Sequence, residues 1–395
     1  MNLLFTLTAY PPAIGGAQLL MHQLACQFNT RHAVQVLTHW DTQRTDWLLG
    51  TTLKAPRTAK AYTVDGVAVQ RINLPMEARR YLWPWVLAYY PLQGLALQHI
   101  AAALVTELMP WTANADVIHN CRIGREGLSY ASFKLARQKD IPFVFTPVHH
   151  PRWGGWLHRY YHRLYREADA VIALTEVERQ TLIQLGAIEQ RVFVTGTGPI
   201  LAATHDPERF RSRYQLGEAP LLLFLAQKHP YKGIANLLRA APLVWQKSPE
   251  ARFLFIGPRT AYSRRLFANV HDPRIVELDA VNLQEKTDAL AACDVFCLPS
   301  TQESFGAVFA EAWSLGKPVV GCDIPAVRAL IDEGTDGFLV PPRPGPLAER
   351  LSYLLEQPAL RASLGQHGYD KVQGRYTWPR LAEQTEAVYE QVLGR

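Results

Sequence analysis

The sequence predicts an α/β protein built as two doubly wound, Rossmann-like parallel-sheet domains facing a central cleft, and three observations carry that expectation. Short β-rich apolar runs alternate with longer helical ones, the pattern of parallel strands joined by crossover helices. The 395 residues suit two domains, each large enough to bury its own core. Between two sets of strand candidates, residues 196–207 are rich in turn formers and read as a linker.

In chain order, the first set of strands falls at residues 3–8, 33–38, 67–72, 117–119, 143–146, 170–173 and 192–194. After the first strand, Gly15 and Gly16 precede a helix in which Leu20, Leu24 and Phe28 recur every four residues, a stripe that faces the sheet. Residues 81–106 contain no Asp, Glu, Lys or Arg, a length that would span a bilayer. Pro84 and Pro91 break its first third and Gln93, Gln98 and His99 interrupt the rest, so an aromatic, Pro-broken loop followed by a helix packed on the sheet is expected. Arg79, Arg80, Trp83 and Trp85 combine cations with rings suited to headgroup depth, and peripheral membrane contact through residues 79–92 is expected from them. The second set of strands falls at 221–225, 252–256, 275–278, 295–298, 318–322 and 337–340. A last helix, 380–393, lines up Leu381, Val388, Tyr389 and Val392 as one apolar stripe.

Composition narrows the class. An apolar content of 48% with 19% charged residues describes a soluble globular protein. The net charge of +6 mildly favours polyanions such as nucleotide diphosphates or an anionic membrane surface, and no nucleic-acid partner is expected. Five cysteines, an odd number in mostly apolar contexts, read as buried reduced thiols of a cytosolic protein. Cys293 and Cys297 lack a second pair, so no metal is expected. The N-terminus has no basic stretch before its apolar run and reads as a strand, not a signal peptide. Location is expected to be cytoplasmic and peripheral at the inner face of the membrane.

The residues suited to chemistry cluster at strand exits. An apolar run ends at Pro299-Ser300, a polar loop carries Glu303, and residues 305–315 have helical periodicity that places Glu311 on a helix before Gly316 stops it. The backbone amides of Ser304, Phe305 and Gly306 are expected to open that helix, where orphan donors favour a phosphate or an electron-rich sugar oxygen. Carboxylates beside it accept hydrogen bonds from sugar or ribose hydroxyls. Lys228 and Lys232 follow the strand at 221–225 and suit the charge that grows on a leaving phosphate. Gly15 and Gly16 allow close backbone approach by a phosphate or sugar. Residues 145–153 leave another strand and carry His149 and His150, while His119 is equally a crevice residue or a satisfied buried histidine.

Residues 294–342 resemble the nucleotide-sugar segment of the retaining GT-B glycosyltransferases of family 4, which carry two Glu separated by seven residues after a strand ending in Pro-Ser. Family-like pieces extend over nearly the whole chain: Pro11-Pro12-Ala13-Ile14-Gly15-Gly16-Ala17, residues 168–175, Lys232-Gly233, and Thr377-Trp378 with the closing helix. The resemblance implies a GT-B fold: an acceptor-binding domain over 1–198, a nucleotide-sugar domain over 199–375, and a helix over 376–395 that packs back on the first. It implies retaining transfer of a hexose from a UDP- or GDP-linked donor to a sugar or lipid-linked acceptor, with no cofactor. By the same resemblance Glu303 contacts the transferred sugar and Glu311 the nucleotide ribose. His150 first, and His149 second, lies near the reacting sugar and positions its hydroxyls. Gly15, Gly16 and Lys232 contact the donor.

One departure stands out. The family places Arg five residues before its Lys-Gly, and this chain has Gln227 there, so Lys228 is expected to compensate. The departure also motivates an alternative, a non-catalytic nucleotide-sugar-binding subunit of the same fold. A dinucleotide oxidoreductase is disfavoured, because Gly196-Thr197-Gly198 is followed by Pro199 and by Leu201 where a third glycine belongs.

Overall fold

The central strands are short and apolar on both faces, which a sheet covered by helices on both sides satisfies. The structure, a computed structural model, describes residues 1–13, 15–42, 47–121, 127–150 and 155–394. It divides into two units, Met1–Gly196 with Trp378–Arg395, and Thr197–Thr377, so the chain crosses two residues before the expected boundary.

Among its described residues the first unit holds eight strands: β1 (Asn2–Ala9), β2 (Ala33–Trp40), β3 (Lys60–Val64), β4 (Val67–Arg71), β5 (Val117–Cys121), β6 (Phe143–Thr146), β7 (Ala170–Ala173) and β8 (Val192–Val194). They are ordered β3-β4-β2-β1-β5-β6-β7-β8, all parallel except the β3–β4 hairpin. Sequence reading misses β3, whose residues are largely exposed at the sheet edge, although Asp65-Gly66 is a strong hairpin-turn signal. Both turn residues have positive φ, 47° and 81°, as a two-residue turn of that kind needs.

The region expected to be an aromatic loop is instead a helix, Met76–Leu87, with Pro84 inside it, followed by Gln93–Leu108. Two residues of the expected membrane contact are turned inward. Arg79 is buried and donates to the carbonyls of Leu53, Leu74, Ala55 and Pro56, organising the turn beneath the helix. Trp85 is half-buried and stacks on His99 at 3.7 Å. Trp83 and Leu87 remain outside, 57% and 65% exposed. Among the described residues no helix is long and apolar enough to cross a membrane.

The closing helix, Trp378–Val392, packs within the first unit against Gly16–Phe28. Its inward stripe includes Leu381, Val388 and Tyr389, and Tyr389 lies 5.4 Å from the Phe28 ring. Glu386 pairs with His32 at 2.5 Å and with Arg31 at 3.0 Å, so the helix is fixed by both packing and charge.

The second unit has six parallel strands: β9 (Leu221–Leu225), β10 (Arg252–Ile256), β11 (Ile275–Leu278), β12 (Val295–Leu298), β13 (Val319–Cys322) and β14 (Gly337–Val340). Their order is β11-β10-β9-β12-β13-β14. The chain winds outward from β9 in one direction and then returns to its other side, leaving a switch point between β9 and β12. In such sheets the loops at the carboxyl ends diverge there and open a crevice for ligands. Packing around this sheet is close: Gly368 of the helix Pro358–Arg375 faces the fully buried Trp313 indole, where a Cβ would come within 1.9 Å.

The segment read as a linker is not free. The Ala202 amide donates to Thr287 Oγ1 and the Asp206 amide to Asp288 Oδ1, binding this stretch to the helix Leu283–Ala292 of the second unit.

Candidate functional site

In the second unit, the loops leaving β9 and β12 are stitched together across the switch point. The Thr301 amide donates to the Tyr231 carbonyl at 2.8 Å, and the buried Ser300 hydroxyl reaches the same oxygen at 3.3 Å. This gives the Pro299-Ser300 ending a physical reason: a small hydroxyl ties two strand exits. Gly233 closes the first loop at φ 76°, and a Cβ there would lie 1.9 Å from the Pro299 carbonyl oxygen.

That stitching brings Lys232 and Glu303 together. Their Nζ and Oε1 are 2.6 Å apart, with both side chains largely shielded from solvent. Glu311 lies on the helix Ala307–Trp313 and is 4% exposed. One of its oxygens accepts from Lys286 Nζ at 2.7 Å; the other, Oε2, is buried with no side-chain hydrogen-bond partner among the described residues, the Ile200 backbone lying beside the carboxylate. Burial lifts the Glu311 carboxyl above its ordinary range, with Lys286 and then the Ile200 backbone pulling the other way. A buried acceptor is costly to leave unmade, so Oε2 is suited to a donor from outside the chain.

Lys286 was not legible in the sequence. It sits on the helix Leu283–Ala292 and also donates to the Ile200 carbonyl at 2.6 Å. Only its partner, 25 residues away, distinguishes it from a solvated helix lysine.

Lys228 departs from its expected role. It is fully buried and its Nζ donates to Glu277 and to the Leu278 carbonyl. Burial lowers its pKa, against the pull of Glu277. Glu277 also binds Arg259, so Lys228 is committed inside an ion-pair cluster and does not stand in for the missing arginine at Gln227.

The helix carrying Glu311 begins at Ala307 rather than 305, because Gly306 adopts φ 87° as its N-cap. A Cβ at Gly306 would press within 2.8 Å of the Phe309 ring. The amides of Ser304, Phe305 and Gly306 therefore precede the helix; they make no hydrogen bond among the described residues. Phe305 itself is buried, edge-on to Tyr376 at 5.4 Å.

In the first unit the expected residues also lie at strand exits. Gly15 caps the helix Gly16–Phe28 in extended geometry, and Gly16 has no atom within 4 Å of where a Cβ would stand. His149 is buried after β6, its Nδ1 3.1 Å from the Tyr165 hydroxyl, while His150 is half-exposed. Val148 just before them has φ 47°, a strained conformation for a β-branched residue of the kind that surrounding structure must hold in place. Glu178 fixes the residue that follows it. Its carboxylate accepts the His149 and Leu174 amides, joining the loop after β6 to the end of β7. Burial raises the Glu178 pKa to about 7, with those two amides opposing the rise. The N-cap Thr175 accepts from the Glu178 amide at 3.0 Å, so the sequence shows a helix start here but not the carboxylate's long-range use.

His119 resolves as the structural alternative. It is fully buried between the Tyr389 hydroxyl at 2.6 Å and Thr146 Oγ1 at 2.7 Å, and burial lowers its pKa to about 3. Ile14 of the first loop and Pro151, Arg152 and Trp153 lie outside the described residues.

Two family signatures match this chain: "Glycosyl transferase 4-like domain" over residues 15–198 and "Glycosyl transferases group 1" over residues 219–357. Together they span most of it, and the chain belongs to the family 4 glycosyltransferases, which have the GT-B fold. Among curated relatives, a phosphatidyl-myo-inositol mannosyltransferase of Mycobacterium tuberculosis is 36% identical over 200 residues, 48% of this chain and 53% of the relative. A D-inositol 3-phosphate glycosyltransferase of Kineococcus radiotolerans is 33% identical over 254 residues, 57% of this chain and 58% of the relative. The matches thus span a little over half the length of these relatives. Anabaena HepE, solved in complex with UDP-glucose, is similar in fold, with a TM-score of 0.75, 18% identity and full coverage of both chains. Sucrose-phosphate synthase from Thermosynechococcus elongatus gives a TM-score of 0.76 at 19% identity, over 100% of this chain and 99% of that one.

Proposed function

We propose that this chain is a retaining glycosyltransferase that moves a hexose from a UDP- or GDP-linked donor to a sugar or lipid-linked acceptor. The observation that carries the reading is the buried Glu311 carboxylate on the helix that follows β12, its Oε2 without a side-chain partner among the described residues, together with Lys232 and Glu303 paired at the neighbouring exits of β9 and β12. Glu311 accepts the ribose hydroxyls through that oxygen, and Lys232 neutralises charge on the leaving diphosphate. Glu303, released from or shared with Lys232, contacts the transferred sugar. His150, with His149 fixed behind it, positions sugar hydroxyls, and the Gly15–Gly16 turn admits the donor's phosphates to the backbone. The leaving phosphate assists deprotonation of the acceptor hydroxyl on the same face of the sugar, so transfer needs positioning and electrostatics but no cofactor. The curated relatives named above, which act on inositol-containing acceptors, and the UDP-glucose complex of HepE support this reading.

A thermal-shift screen of UDP, GDP and their sugars tests it, followed by product analysis with the stabilising donor. Stabilisation by a nucleotide sugar and a product that keeps the donor's anomeric configuration are expected. An inverted product overturns retention, and absence of any nucleotide effect overturns the donor site. Binding without transfer to any acceptor supports the non-catalytic alternative, for which the internal commitment of Lys228 is the motivating observation.

The protein also works at the inner face of the membrane, docked through the exposed rings and aliphatics around the helix Met76–Leu87. Trp83→Ser with Leu87→Ser is expected to reduce sedimentation with anionic vesicles several-fold while leaving hydrolysis of soluble donor unchanged. Equal sedimentation of variant and wild type rejects this contact.

A further inference from the structure

The first unit gathers three metal-ligating side chains that the proposed reaction does not use. His22 and Cys26 stand four residues apart on the helix Gly16–Phe28, which places them on one face. Asp65 meets them from the β3–β4 turn. Their candidate ligand atoms all lie within 4.8 Å of one another. His22 Nε2 is 2.8 Å from Asp65 Oδ2 and 3.7 Å from Cys26 Sγ.

The two separations from His22 are close to those of a tetrahedral zinc site. With Zn–N near 2.0 Å and Zn–S near 2.3 Å, nitrogen and sulfur stand about 3.5 Å apart, and nitrogen and oxygen about 3.3 Å. The His–Cys spacing meets that requirement, and Asp65 has to withdraw by about half an ångström. Asp65 is an exposed turn residue, so it has room to do so and leaves the site open to solvent on that side. On the opposite side the Tyr10 hydroxyl lies 2.8 Å from His22 Nδ1. By accepting the Nδ1 proton it fixes the tautomer that presents the Nε2 lone pair, the usual work of an outer-shell partner of a metal-bound histidine.

We propose that His22, Cys26 and Asp65 form a three-ligand site for a divalent cation of the zinc class, which clips the β3–β4 hairpin to the helix following Gly15 and Gly16. One thiolate, one imidazole and one carboxylate suit a borderline-soft ion and disfavour magnesium or calcium, which take oxygen ligands. Water completes the coordination. The hairpin already touches this helix through Asn29 Nδ2, which donates to the Gly66 carbonyl at 3.0 Å, so the cation reinforces an existing contact. The site is separate in sequence and in structural unit from Lys232, Glu303 and Glu311.

The test uses the full chain, stripped of metal and titrated with Zn²⁺ by calorimetry, then with Co²⁺ as an absorbing substitute. One equivalent of each is expected to bind, with tetrahedral ligand-field bands and a thiolate-to-cobalt charge-transfer band. Cys26→Ser is expected to abolish the charge-transfer band. Asp65→Asn, on the surface and tolerant of the left-handed turn geometry, is expected to weaken Zn²⁺ binding at least tenfold in a fully folded protein. His271→Gln, at an exposed position in the second unit, serves as the control and is expected to bind as wild type. Sub-stoichiometric binding, a cobalt spectrum without the thiolate band, or wild-type affinity in Asp65→Asn overturns the site.

Discussion

Glu311→Gln is expected to weaken nucleotide binding roughly tenfold to a hundredfold, the worth of a charge-assisted hydrogen bond of about 1.5–3 kcal/mol. The amide keeps the shape of the side chain but loses the charge that faces Lys286 Nζ at 2.7 Å. It also exchanges one acceptor for a donor at Oε2, which has no side-chain partner among the described residues. Stability falls too: breaking a fully buried pair costs about 3–5 kcal/mol, and the partial exposure of Lys286 places this case below that range. Calorimetric titration with UDP and GDP, beside a thermal melt of the free protein, separates the two effects. Glu303→Gln is the companion measurement. Because its proposed contact is to the sugar, turnover should fall while nucleotide affinity stays within about twofold of wild type. Unchanged nucleotide affinity in Glu311→Gln removes the ribose contact.

Gly233→Ala should be the most damaging single methyl group in the second unit's site. At φ 76° a non-glycine residue bears about 1–2 kcal/mol of backbone strain. The new Cβ would also stand 1.9 Å from the Pro299 carbonyl oxygen, a backbone atom that no rotamer change can move. Relief requires the β9 and β12 exits to separate, which breaks the Thr301 to Tyr231 bond and draws Lys232 away from Glu303. For a domain of this size each kcal/mol lost lowers the melting temperature by about 2–4 °C, so a drop of more than about 5 °C is expected, together with weaker donor binding. Gly374→Ala is the matched control: it lies inside the helix Pro358–Arg375 with nothing within 4 Å of its Cβ. Alanine there should be neutral or stabilising. If Gly233→Ala melts with wild type, the close approach of the two loops is wrong.

Local signals carried most of the architecture. The continuous apolar run of Leu221–Leu225 and the alternation of strands with helical patterns announce two covered parallel sheets, and both are present. Strand β3 escaped because an exposed edge strand need not alternate apolar and polar residues; the Asp65-Gly66 turn was the better clue. For the candidate site, the positions of Glu303 and Lys232 in strand-exit loops and of Glu311 on the following helix were legible from Pro299-Ser300, Lys232-Gly233 and the helical periodicity after residue 305. Their partners were not. Lys286 and Glu178 act on groups 25 and 29 residues away; nothing near Lys286 separates it from an ordinary helix residue, and the Thr175 cap beside Glu178 marks only a helix start. Lys228 and Arg79 failed for the opposite reason: a charged side chain in a surface-like motif was taken up by buried carbonyls or a carboxylate that only the folded chain brings near.

The attachment of residues 200–206 to the helix Leu283–Ala292 bears on how this protein can be recombined with its relatives. A chimera that exchanged first units would have its natural splices before Thr197 and before Trp378, since Ile200, Ala202 and Asp206 are already fastened to the second unit. A graft made further along, at Asp206, would import a foreign backbone against Lys286 and disturb the ammonium that steadies Glu311. The stretch where the chain passes into the second unit is therefore also a support of the Glu311 carboxylate, and leaving that carboxylate undisturbed depends on where the cut is made.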